Sequence, residues 1–176
     1  MDLEFNVAQL LKAPVGATRR YELAEDVHEL VAELQLVTPV TGQVQLLHVP
    51  GGVLATGQLQ VTVATECKRC LRLLELPTRF EIEEEFKSTV DVLTGTAIFV
   101  DPTEDTALLI DAQHILNLGE IIRQDLLLAA EPAALCKPDC RGLCSNCGKD
   151  LNEGPCGCQI ESADPRWAAL SNLLKT

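Results

Sequence analysis

Three observations predict an α+β fold for this chain. Apolar and polar residues alternate with a period of two between residues 29 and 87, one apolar stripe at helical spacing lies near residue 120, and the cysteine-rich stretch after it is too poor in apolar residues to pack a core of its own. The architecture expected is an antiparallel β meander forming a barrel-like sheet, a helix packed on it, and a cysteine-rich C-terminal segment with a short terminal helix. Residues 1–134 make the core domain on this reading, and 135–176 make the segment and helix docked on it.

Length and composition set the scale. A chain of 176 residues is one domain, or one domain with a small appendage. With 47% hydrophobic but only 3% aromatic residues, its core must be built from Val, Leu, Ile and Ala. That composition excludes a disordered chain. No apolar run reaches the roughly 18–20 residues that span a bilayer, so no membrane association is expected. The opening MDLEFNVAQLLKAP has no basic leader region of a secretory signal, and the expected location is the cytosol.

Residues 1–27 read as a short strand, a short helix around VAQLL and a return past the breakers Pro14 to Gly16. In 29–36, Leu30, Ala32, Leu34 and Leu36 alternate with Glu29, Val31, Glu33 and Gln35, read as a half-buried strand. QVQLLHV, residues 43–49, runs into the turn signal PGG. The cleanest alternation is QLQVTVATE, residues 58–66, with Leu59, Val61 and Val63 on one side. ECKRC then falls at a hairpin tip before LRLLEL, and FEIEEEF sets Phe80, Ile82 and Phe86 against Glu81, Glu83 and Glu85. Residues 88–106 read as a loop-rich connection around the strand-like AIFV, and ALLI, residues 107–110, as a further strand. A helix is predicted in NLGEIIRQDLLLAAEP, with Asn117 as cap, Glu120 at the capping-box position, Leu118, Ile121, Ile122 and Leu126 as its stripe, and Pro132 as its end. The terminal helix begins with Asp164 and Pro165 and carries Trp167, Leu170, Leu173 and Leu174 on one face.

Eight cysteines dominate the chemistry. In a reducing compartment C-x2-C pairs point to metal or redox chemistry rather than to disulfides. Eight thiolates make two tetrahedral sets, the coordination of closed structural zinc sites. Cys144 and Cys147 in LCSNCG form a knuckle that Cys156 and Cys158 can close locally. That leaves Cys136 and Cys140 to meet Cys67 and Cys70 from the hairpin tip. An exchange of Cys136 or Cys140 with a member of the other set stays open on spacing alone. Iron–sulfur ligation fits less well, because the spacing matches neither common ferredoxin run. A redox- or metal-responsive regulator using zinc-ligated thiols is the rival reading. Two loaded sites would take the formal charge from −12 to about −16.

A formal charge of −12 and a pI near 4.6 disfavour a general nucleic-acid binder. The distribution matters more than the sum. Lys68, Arg69, Arg72, Lys137, Arg141 and Lys149, six of the fourteen basic residues, lie in or beside the cysteine clusters. They either offset thiolate charge or form a local basic face for RNA or another partner. Catalysis is not expected. His28, His48 and His114 are isolated, no phosphate-binding glycine loop is present, and sulfur-saturated zinc leaves no position for water or a small-molecule substrate.

These residues bring a resemblance into view. VTVATECKRCLRLLELP, the helix that runs into the downstream cysteines, CRGLCSNCGKDLN and the closing DPRWAALSNL resemble the YceD family, the bacterial large ribosomal RNA subunit accumulation proteins. The likeness covers the chain from about residue 25 to its end. It implies a non-enzymatic ribosome biogenesis factor supporting synthesis, processing or stability of the large-subunit (23S) ribosomal RNA. Contact would be direct, or through a basic ribosomal protein or an RNA-processing enzyme.

Overall fold

Alternation drives the middle of the chain into long strands, as a computed structural model describing residues 3–131 and 133–158 shows. The strands are β1 (Glu4–Asn6), β2 (Thr18–Glu25), β3 (Gln35–Leu36), β4 (Val40–Val49), β5 (Gly52–Glu66), β6 (Leu73–Ser88), β7 (Leu109–Ile110) and β8 (Ile115–Asn117). Two helices accompany them, α1 (Ala8–Leu11) and α2 (Gly119–Ala129). The main sheet runs β2-β4-β5-β6-β7, with β3 added on β5, and β1 pairs with β8 in a separate two-stranded ribbon. The chain divides into two compact units, one of Met1–Thr65 with Leu73–Ala134, the other of Glu66–Arg72 with Leu135–Thr176. The hairpin tip thus groups with the cysteine-rich segment.

In the first unit the period-two pattern sorts the sheet into two faces. Val44 and Leu46 on β4, Val53, Ala55, Leu59, Val61 and Val63 on β5, and Phe80, Ile82 and Phe86 on β6 are buried in one cluster. Val7 and Leu10 and the α2 stripe of Leu118, Ile121, Ile122 and Leu126 join it, as the helical spacing predicts. Each such side chain contributes about 1.5–3 kcal/mol by leaving water. The opposite face is polar, with Gln43 Nε2 donating to Glu22 Oε1 at 2.6 Å and Gln58 Nε2 to Glu81 Oε1 at 3.0 Å. Gln43 and Gln58 are register partners, so this polar row crosses four strands.

The α+β class stands, but the barrel-like sheet does not. Among the described residues β2 and β7 end the sheet path without pairing to each other. The apolar face is covered by helices and loops instead of by closure of the sheet. Nor is the sheet wholly antiparallel, because β7 runs parallel to β6 through Lys87↔Leu109 and Ser88↔Ile110. Only Leu109–Ile110 of ALLI is strand, the preceding Thr106–Leu108 being a 3-10 turn capped by Asp105. AIFV contributes a single bridge, Val90↔Ala97.

Residues 29–36 depart furthest from expectation. Leu30 N and Val31 N both donate to Val27 O, and Leu34 N donates to Val31 O, so the stretch is a run of tight turns and the strand shrinks to Gln35–Leu36. Val27 and Val31, at opposite parity to Leu30 and Ala32, are the fully buried pair. An i, i+4 spacing was concealed beneath the alternation. LRLLEL and FEIEEEF, by contrast, fuse into one strand of 16 residues. Pro77 is tolerated within it because β7 pairs only with its last two residues. Asn117 ends β8 and its Oδ1 accepts from Gly119 N at 2.7 Å, but the N-cap position of α2 falls on Leu118, one residue later than expected, with no side-chain cap. Glu120 instead holds Arg123 and Gln124, so no capping box forms. The helix stops at Ala129. Pro132 and the expected terminal helix from Asp164 to Leu174 lie outside the described residues.

Candidate metal centres

Both C-x2-C pairs that the sequence places on turns fold into the same local knuckle. At the hairpin tip Cys67 N donates to Arg72 O at 2.8 Å and Leu71 N to Cys67 O at 2.9 Å. In LCSNCGK the equivalent bonds run from Cys144 N to Lys149 O at 2.8 Å and from Gly148 N to Cys144 O at 2.9 Å. The residue after the second cysteine must adopt positive φ. Gly148 does so at +72°, and Leu71 occupies the same position at +58°.

The eight sulfurs gather into two groups of four. Cys67, Cys70, Cys136 and Cys140 form one, Cys144, Cys147, Cys156 and Cys158 the other, and within each group the sulfurs lie within 4.8 Å of one another. This is the grouping set out from spacing, and no ligand is exchanged between the sets. In the first group Cys67 Sγ is 3.8 Å from Cys140 Sγ and Cys70 Sγ is 3.6 Å from Cys136 Sγ. A tetrahedron with metal–sulfur bonds of about 2.3 Å has edges of about 3.8 Å, so this donor set fits a tetrahedral ion. All eight thiols are free of disulfides. Cys67, Cys70 and Cys140 are buried, whereas in the second group Cys147 is exposed and the others half-buried.

Burial, backbone N–H groups and neighbouring sulfurs pull the thiols apart in acidity. Burial works upward on Cys67, but the backbone N–H groups of Cys136, Cys70 and Arg69 outweigh it and bring the thiol down to about 6. Burial, with the neighbouring Cys140, Cys70 and Cys67, pushes Cys136 up to about 12. The second group repeats the pattern. Backbone N–H groups of Cys147 and Asn146 hold Cys144 at about 6, and the sulfur of Cys147, then burial, drive Cys158 up to about 12. Each quartet thus sets thiols of lowered pKa beside thiols of raised pKa, and a cation held among them would favour the thiolate form of all four.

Within the second unit the tip and the downstream segment are held by more than sulfur. Leu143 N donates to Arg69 O at 3.1 Å and Arg69 Nη1 to Cys140 O at 2.8 Å. Gly142 is buried at φ +73°, and a Cβ there would stand 2.9 Å from Arg69 O. Arg72 Nη2 faces Asp150 Oδ2 at 3.5 Å, and Lys149 Nζ donates to Pro155 O at 3.2 Å. Of the six basic residues named from the sequence, three are therefore engaged internally. Lys68, Lys137 and Arg141 are exposed and make no side-chain hydrogen bond or ion pair among the described residues. Sequence reasoning passed over Asp150 and Asn152. Their signal was an Asp-x-Asn directly after the knuckle, in which Asp150 caps the 3-10 turn Leu151–Glu153 by accepting from Asn152 N at 2.8 Å.

The fold and the two thiol quartets define an α+β protein with two candidate tetrathiolate metal centres. The family model described as large ribosomal RNA subunit accumulation protein YceD matches residues 55–174, which take in most of β5, the hairpin tip and all eight cysteines. The chain belongs to the YceD family. An uncharacterized protein of Mycobacterium bovis is 31% identical over 123 residues, 70% of this chain and 56% of that protein, so the match spans little more than half the relative's length. An uncharacterized protein of Mycobacterium leprae is 23% identical over 173 residues, 97% of this chain and 76% of the relative. A chloroplastic large ribosomal RNA subunit accumulation protein YCED homolog of Arabidopsis thaliana is 33% identical over 58 residues, 33% of this chain and 18% of that protein. No solved structure matches the chain. Among the described residues no helix is long and apolar enough to cross a membrane.

Proposed function

We propose that this protein is a non-enzymatic ribosome biogenesis factor that holds two zinc ions and supports synthesis, processing or stability of large-subunit ribosomal RNA in the cytoplasm. Family membership supports the role, and the observation that carries it to particular residues is the division of charge. The segments 66–72 and 135–158 hold six basic and four acidic residues, a formal +2 that becomes about −2 with both quartets loaded, while the rest of the chain holds eight basic and 22 acidic residues, −14. Lys68, Lys137 and Arg141 are the exposed cations of these segments that could meet phosphate, and the acidic remainder suits a basic ribosomal protein or an RNA-processing enzyme. All-thiolate quartets support structural zinc, which leaves no open coordination position for catalysis.

The test is affinity capture of the zinc-loaded chain from cell extract with sequencing of bound RNA. Enrichment of large-subunit ribosomal RNA or its bound proteins is expected, and Lys68→Ala, Lys137→Ala and Arg141→Ala together should cut it severalfold. No enrichment would refute the reading. One observation favours the redox rival: Cys147 is exposed beside Cys144, whose thiol lies near 6. Two firmly held zinc ions and unreactive thiols in the loaded protein would exclude it.

A further inference from the structure

Asn152 lies in the loop between Cys147 and Cys156, which the second quartet closes, yet its side chain reaches the first. Its Nδ2 donates to Cys140 Sγ at 3.4 Å and to Asp150 Oδ1 at 2.7 Å, and its Oδ1 accepts from Arg141 N at 2.9 Å. Both amide hydrogens and the carbonyl are thereby used. The loop is anchored beside it, with Leu151 N donating to Gly142 O at 2.9 Å, a bridge between Leu143 and Asp150, and Asp150 facing Arg72 of the hairpin tip. Whatever holds the second loop in shape therefore presents a hydrogen-bond donor to a ligand sulfur of the first site.

We propose that Asn152 is a positioning residue that couples the two metal sites, so that filling one quartet strengthens metal binding at the other. A sulfur bound to metal keeps part of its negative charge, and an N–H aimed at it stabilises the ligand in place. Loss of such outer-shell partners costs about 10–100-fold in metal affinity. Asn152 is half-buried, which puts its contribution near the lower end, about tenfold. The coupling is reciprocal: the second site must gain from the first by the same factor. The inference rests on the reading of both quartets as metal sites and on nothing about ribosomes.

The test uses the full chain loaded with ¹¹³Cd²⁺, whose two sites give separate resonances, and withdraws metal with a competing chelator. Removing the second site with Cys144→Ser and Cys147→Ser should weaken Cd²⁺ at the first about tenfold. Asn152→Ala should weaken the first site equally, shift its resonance, and add nothing further in the Cys144→Ser, Cys147→Ser background. Should Asn152→Ala fail to fold, Cys67→Ser decides, since it must leave one bound ion and weaken it by the same factor. An unchanged first site in Cys144→Ser, Cys147→Ser, unequal reciprocal factors, or multiplying effects would overturn the coupling. Absence of both resonances would overturn the metal reading itself, which is distinct from two ions held independently.

Discussion

Replacing Gly142 with alanine tests how closely the hairpin tip is held, and Gly148 supplies an internal control. The two glycines have nearly the same backbone, φ +73° and +72°, so an alanine suffers the same conformational penalty at each, about 1–2 kcal/mol. Their surroundings differ. A Cβ on Gly148 meets nothing within 4 Å, whereas one on Gly142 lies 2.9 Å from Arg69 O. That oxygen accepts from Leu143 N at 3.1 Å and Gly142 O accepts from Leu151 N at 2.9 Å, so relief of the contact loosens two backbone bonds worth about 0.5–1.5 kcal/mol each. Gly148→Ala should therefore cost about 1–2 kcal/mol and Gly142→Ala about 2–5 kcal/mol. On the reading of the quartets as metal sites the loss appears as weaker binding, tenfold for every 1.4 kcal/mol or so. Chelator competition should show a loss of about 5–30-fold for Gly148→Ala. Gly142→Ala should lose about 5–140-fold more than that control, mainly at the first quartet. Equal losses in the two variants would refute the tight docking of the tip on residue 142.

Leu71→Gly should tighten metal binding at the first quartet, because Leu71 holds φ +58° where the sister knuckle has glycine, and its side chain is 57% exposed; the gain expected in chelator competition is severalfold, from relief of about 1 kcal/mol net of the entropy glycine adds to the unfolded chain. Thermal stability should also depend on His28, whose Nδ1 meets Asp26 Oδ1 and whose Nε2 meets Leu36 O at 2.6 Å, two acceptors that only the doubly protonated ring satisfies. The hydrogen bond to Asp26, then that to Leu36 O, raises His28 above its usual 6.5, and the bond to His28 lowers Asp26 below its usual 3.8. The His28 contribution is fully present below pH 6.5 and fades as pH rises through the raised value, and the Asp26 contribution is present above pH 3.8 and fades below it. Melting temperature should thus lose a component on going from pH 6 to pH 8 that His28→Gln does not lose, and an NMR titration placing His28 at or below 6.5 would refute the bridge.

Cysteine spacing made the site legible because ligation leaves a mark on sequence that needs no knowledge of packing. Two knuckles, a short closing pair and two cysteines left over admit few partitions. The hairpin tip was equally plain, since ECKRC interrupts the most regular alternation in the chain. Residues 29–36 misled because the even-numbered leucines and alanine alternate, while Val31, at odd parity, belongs to an i, i+4 pair whose other member, Val27, lies just outside the window. β8 was hidden for a different reason: Ile115–Asn117 pairs with Glu4–Asn6 more than 100 residues away, and three residues hold too little pattern to announce a partner. Asn152 was invisible as a functional residue because nothing in a sequence says which sulfur an amide will face.

The first quartet has a consequence for the order in which the chain can be completed. Its sulfurs at Cys67 and Cys140 are 73 residues apart, whereas the second quartet spans Cys144 to Cys158. Closing the longer loop costs roughly 1.5 kcal/mol more in chain entropy than the shorter. During synthesis the hairpin tip emerges with two thiols and must wait while strands β6 to β8 and helix α2 are made. Only after Cys140 appears can a metal ion at this quartet be enclosed. Until then Cys67 and Cys70 are an unfinished clasp, open to any soft metal or oxidant in the cell, and the nascent chain is most vulnerable at the site that ends as its most buried.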